Sequence, residues 1–126
     1  MSRIFVILVT LFMLGSIAYA FHPDYFSMNG LKLEGAAATT DVRTTYGTYP
    51  FALGLFLVPG ALRKTGHLME LRLITFMFAG VVAGRLLGLA VDKGDQSFTL
   101  SALPIEAAVL VLAGILLQRE MSRKSA

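Results

Sequence analysis

Four long apolar runs, Ile4–Phe21, Thr45–Leu62, Leu71–Val91 and Leu103–Gln118, constrain this chain more than any other feature. Each approaches the roughly 20 residues a helix needs to cross about 30 Å of hydrocarbon. The last run is the shortest, and extension through Arg119 or local thinning of the bilayer lets it span. Backbone in lipid must satisfy its own hydrogen bonds, so such runs fold as helices. Charged residues make up 15% of the chain and hydrophobic residues 56%, where a soluble domain carries about 25% charged residues. The expected fold is all-α: one domain over residues 1–126, a four-helix transmembrane bundle with a long first extracytoplasmic loop.

Lys and Arg set the orientation. The N-terminus, the second loop and the C-terminus hold seven (Arg3, Arg63, Lys64, Arg72, Arg119, Arg123 and Lys124), while the first and third loops hold two, Lys32 and Lys93; Arg43 and Arg85, near or within spans, are not counted. This asymmetry puts both termini on the cytoplasmic side. It also accounts for the net charge of +3 without nucleic acid. A rival reading takes residues 1–20 as a leader: Arg3, an apolar core, then Ala18-Tyr19-Ala20 as a small-residue cleavage pattern. The apolar run is long for a leader core, which favours its retention as a first span.

The chain has no cysteine and only two histidines, His22 and His67, at opposite ends of separate runs. Disulfides, thiolate chemistry, iron–sulfur clusters and cysteine zinc sites are thereby excluded, and no metal site or cofactor is expected. The first loop, His22–Thr44, is long for a bundle connection. Phe21, Tyr25, Phe26, Met28, Leu31 and Leu33 place it on the outer membrane surface, with its aromatics at headgroup level. Gly80, Gly84 and Gly88 form a small-residue stripe in the third run, suited to close helix approach within the bundle. Gly47 and Gly54 are helix-packing positions of the same kind in the second.

The informative residues are the ionisable ones at membrane depth. Arg85 lies seven residues before Asp92, about 10 Å below the outer boundary at 1.5 Å per residue. A lone arginine there costs at least about 2.5 kcal/mol, so it requires a partner. Glu106, two positions after Pro104 at the start of the fourth run, is at matching depth, and an Arg85–Glu106 pair is expected. Pro104 reads as a first-turn residue, which would give Glu106 the benefit of the helix N-terminus. The second run opens on Asp41, Arg43, Tyr46 and Gly47, with Pro50 freeing a carbonyl near Tyr46. Asp41, Arg43, Tyr46, Arg85, Asp92 and Glu106 are thus drawn to one outer-half zone. Its roles are either neutralised structural pairing or binding of an amphiphile. Blander readings stand beside some members: Asp41 as a helix N-cap, Tyr46 as an interfacial anchor and Asp92 as a loop acid.

Asp41-Val42-Arg43-Thr44-Thr45-Tyr46-Gly47, followed by Leu53-Gly54-Leu55-Phe56-Leu57, resembles the second span of the DUF4345 membrane proteins. Gly84-Arg85-Leu86-Leu87-Gly88-Leu89 with Asp92 is similar to that family's third-span motif, and Pro104-Ile105-Glu106 with Leu112-Ala113-Gly114 to its fourth. The resemblance covers roughly residues 36–118. Thr48 stands where the family often has a second glycine. The resemblance implies a four-helix bundle laid out as in the DoxX-like group, in a bacterial cytoplasmic (inner) membrane, and marks Asp41, Arg43, Tyr46, Gly47, Arg85, Asp92 and Glu106 as family-type positions. It implies no activity.

Three functions compete. The first is an accessory or scaffold subunit of a larger membrane complex, supported by small size, the glycine stripe and the lack of a nucleophile constellation. The second is a binding protein or carrier for a small amphiphile (lipid, quinone or isoprenoid), with Arg43 and Arg85 holding its head. The third, ranked last, is a membrane enzyme in which Glu106 or Asp92 moves a proton with Tyr46 as partner, because pairing with arginine ties up the carboxylate. The polar residues occupy one half of the spans only, which fits a channel poorly.

Overall fold

The computed structural model describes residues 1–24, 35–92, 94 and 96–125, and every regular element among them is helical. The elements are α1 (Ser2–Gly15), α2 (Ile17–Phe21), α3 (Gly35–Val42), a π-helical segment (Arg43–Thr48), α4 (Tyr49–Leu62), α5 (Leu68–Val91) and α6 (Ser97–Ser125). Three helical stretches are long and apolar enough to cross a membrane: Ser2–Phe21, Leu68–Val91 and Ser97–Arg123. Phe12, Phe76, Leu87 and Ile105 stand exposed along them. An outward apolar surface of this kind suits lipid as solvent and is consistent with an integral membrane protein. Hydroxyls within the helices are satisfied locally: Thr10 donates to Val6 O at 2.7 Å, Thr75 to Leu71 O at 2.7 Å and Ser101 to Ser97 O at 2.9 Å. Such back-bonding makes a hydroxyl tolerable in hydrocarbon.

Several boundaries differ from expectation. The second helical stretch begins at Gly35 rather than Thr45, because Ala36, Ala37 and Ala38 are the strongest helix formers and extend the helix toward its N-terminus. The expected first loop is shorter accordingly. Its positions from Tyr25 to Leu33, like Lys93, lie outside the described residues. Asp41 sits inside α3 and is no N-cap. The fourth helix begins at Ser97 rather than Leu103 and runs to Ser125, so it is the longest rather than the shortest. Pro104 is therefore an interior helix residue. Glu106 lies beyond the first turn, where the field of the helix N-terminus has faded.

The chain divides into two compact units, one of Arg3–Lys64 and one of Thr65–Ala126 with Met1–Ser2. In the first unit, the helical path from Gly35 to Leu62 is unbroken but changes pitch at Arg43–Thr48. Pro50 explains the change: its ring would strike the carbonyl of residue 46 in α-geometry. Widening the helix just ahead of it relieves the clash, and the Tyr49 N–H reaches back five residues to Thr44 O. The π segment packs against α2. A Cβ on Gly47 would stand 2.6 Å from the Ala20 backbone nitrogen, and one on Gly54 would stand 3.0 Å from the Leu14 nitrogen. Glycine is required at both crossings because backbone meets backbone there.

The second unit is the antiparallel hairpin of α5 and α6. Its turn carries Gly94 at φ 119°, a conformation that favours glycine. Leu71 and Ile74 on α5 and Ala113 and Leu116 on α6 are buried. Each pair is three residues apart on its helix, the spacing of one packed face.

Candidate functional site

Arg85 and Glu106 join α5 and α6 in the half of the hairpin nearest its turn. Arg85 Nε donates to Glu106 Oε2 at 2.9 Å and Nη2 donates to Oε1 at 2.8 Å. Two parallel charge-assisted bonds in a fork geometry form the strongest side-chain pairing available to a carboxylate. The side chains are 19% and 17% exposed respectively. Phe98 stacks against the guanidinium, with the ring centroid 5.0 Å from Cζ, which adds an attraction between cation and ring quadrupole. The charge that lipid would reject is thus neutralised between neighbouring helices.

The pairing follows from helix geometry. From Arg85, Ile74 and His67 are eleven and eighteen residues back along α5, positions that return to the same face at 3.6 residues per turn. From Glu106, Ala113 and Glu120 are seven and fourteen residues ahead along α6, again on one face. The Arg85–Glu106 contact therefore sets the register of the whole hairpin.

Asp92 caps the C-terminus of α5, its N–H bonded to Gly88 O at 2.8 Å. Its carboxylate folds back so that a Cβ on Gly88 would lie 3.4 Å from Oδ2. Asp41, Arg43 and Tyr46 belong to the other unit, the first two exposed and Tyr46 37% exposed. Arg43 Nη1 donates to Ala20 O, so this arginine ties the π segment to α2. The Ser16 hydroxyl lies 2.6 Å from Met13 O and 2.9 Å from Gly47 O. Its single proton is shared between a carbonyl of its own helix and one of the π segment.

Four of the five glycines expected at helix contacts separate into two groups, and the fifth, Gly88, meets the Asp92 carboxylate. Gly47 and Gly54 seat backbone against backbone, whereas Cβ atoms on Gly80 and Gly84 would meet nothing within 4 Å. Within the hairpin, α6 therefore leaves the α5 face at Gly80 and Gly84 uncovered.

Sequence reasoning missed the end of the hairpin away from its turn. His67 and Glu70 are each 2% exposed and Glu120 is 9% exposed. His67 occupies the N-cap of α5 with no side-chain cap bond, and Glu70 is the acid of its first turn. An acid three residues after the cap is a recognisable helix-start spacing. It also gains from the helix N-terminus. Taking the third run to begin at Leu71 left Glu70 in a loop and hid that signal. Phe98 was missed for the same kind of reason, since a fourth helix starting at Leu103 leaves it outside. Among the described residues, no group of three His, Asp or Glu side chains is placed to hold a metal ion.

A family model for a domain of unknown function, DUF4345, matches residues 1–117. The match takes in the first helix as well as the three later motifs. No curated protein and no solved structure matches the chain.

Proposed function

The chain belongs to the DUF4345 family, a domain of unknown function, and on that premise we propose that it is an accessory or scaffold subunit of a bacterial inner-membrane assembly. In this reading the chain spans four times with both termini cytoplasmic, and the path from Gly35 to Leu62 supplies the further span. The observation that carries the proposal is the bidentate Arg85–Glu106 pair. It absorbs the intramembrane charge in holding two helices together, leaving a hairpin in which α6 does not cover the α5 face at Gly80 and Gly84. Small residues on an open helix face admit another helix closely.

A second reading, binding of a small amphiphile, draws on the same open space beside Gly80 and Gly84, which suits an acyl or isoprenoid tail as well as a helix. The experiment is purification of the tagged chain in native-membrane particles. A larger membrane protein should accompany it, and Gly80→Leu with Gly84→Leu should release that partner while the chain stays folded. Recovery as a bare monomer in every preparation overturns the subunit reading. Elongated density beside Gly84 with no protein neighbour favours the amphiphile.

Topology has its own test, made clean by the absence of native cysteine. Ala37→Cys should react with an impermeant maleimide from outside the cell. Thr65→Cys and Ser122→Cys should react only after permeabilisation. The reverse pattern contradicts the orientation.

A further inference from the structure

The Ala18-Tyr19-Ala20 pattern presents small residues where a leader peptidase would look for them. Cleavage there would hydrolyse the Ala20–Phe21 peptide bond: water adds across it, leaving Ala20 with a new carboxylate and Phe21 with a new amino group. For that reaction the carbonyl carbon of Ala20 must be reached by a nucleophile. The flanking small side chains must also leave the helix and enter the enzyme's pockets.

Three features of the first unit oppose this. Residues 17–21 are helical, and the His22 N–H is bonded to Ala18 O at 2.8 Å across the cleavage point. The carbonyl that would be attacked, Ala20 O, already accepts from Arg43 Nη1. Gly47 presses its backbone against Ala20 so closely that a Cβ would stand 2.6 Å from the nitrogen, 2.9 Å from Cα and 3.0 Å from Cβ of Ala20. The Ser16 hydroxyl, 2.9 Å from Gly47 O, fastens the same crossing four residues before Ala20. A protease subsite and the Gly47 backbone cannot occupy the same space.

We propose that the π-helical segment, through Arg43 and Gly47, shields the Ala20–Phe21 bond from leader peptidase and so retains residues 1–20 as a membrane span. The segment exists because Pro50 widens the helix ahead of it, so the shield is encoded outside the cleavage pattern that it masks. This inference rests on the proposed topology, in which Ala20 faces the outer side.

The test is the intact mass and N-terminal sequence of the full chain, carrying a C-terminal tag and expressed in cells that contain leader peptidase. The wild type should retain residues 1–20. Gly47→Leu, which drives a side chain into the Ala20 backbone, should yield a majority species beginning at Phe21. Arg43→Ala, which removes one hydrogen bond and no volume, should yield the same species as a minority. A wild-type chain beginning at Phe21 overturns the proposal. So does the absence of the Phe21 species from both variants, whether or not the Gly47→Leu chain accumulates. Ala37→Cys labelling on the same preparations separates the causes of failure. Reaction only from the inner side overturns the topology and the proposal with it. Reaction from the outer side without a Phe21 species overturns the shielding alone.

Discussion

Two kinds of glycine, alike in sequence, do opposite work in this chain, and single substitutions should separate them. Gly47→Ala places a methyl 2.6 Å from backbone that cannot yield. Overpacking of this kind costs about 1–3 kcal/mol. Gly80→Ala and Gly84→Ala add a methyl to open space and reduce backbone entropy in the unfolded chain, so each should be neutral or stabilising by up to about 1 kcal/mol. Thermal unfolding of the purified protein in detergent reads both, and a loss of stability at Gly84 comparable to that at Gly47 contradicts the assignment. Arginine at position 85 is equally specific. Arg85→Lys keeps the charge but loses the fork that meets both carboxylate oxygens, and the stack on Phe98. It should lower the melting temperature nearly as far as Arg85→Ala, and full retention of stability would show that charge alone suffices.

At the scale of elements, the π segment is the feature that decides how the first unit is held. Its cause is Pro50, and the Gly47 carbonyl within it is met by Ser16. With glycine carbonyls labelled by carbon-13, Ser16→Ala should move the Gly47 signal. Pro50→Ala should move it further, because an α-helical register turns the segment by about 100°. Identical spectra would show that the widened turn is not needed for the crossing. The change in pitch was legible only in part. Pro50 in an apolar run signals a freed carbonyl, but proline more often kinks a helix than widens it. Which carbonyl is met from outside the helix is set elsewhere: the Ser16 hydroxyl donates to Gly47 O from thirty-one residues away. The Arg85–Glu106 pair was legible because depth on two helices can be counted in residues and a buried charge demands a partner. The start of α6 at Ser97 was not: polar Asp95, Gln96 and Ser97 read as loop, and Pro104 mimicked a helix start. The burial of His67 and Glu70 was hidden by a boundary drawn at the first continuous apolar residue.

For the whole molecule, the charge within the apolar stretches of α5 and α6, Arg85 and Glu106, is committed to holding those two helices together. The long helices leave Phe76, Leu87 and Ile105 exposed, and in the proposed reading a partner meets that surface. The central claim is that Arg85 and Glu106 are partners in structure rather than agents of chemistry. The measurement that tests it most directly is a double-mutant cycle on unfolding in lipid-like solvent, read together with recovery of a copurifying partner. Arg85→Ala and Glu106→Ala should each cost about 3–5 kcal/mol by stranding the other charge. The double variant should recover a large part of that loss, and it should still bring down the same partner. A double variant that is as stable as the wild type yet loses its partner, or its effect in the cell, contradicts the account and makes the pair a functional site.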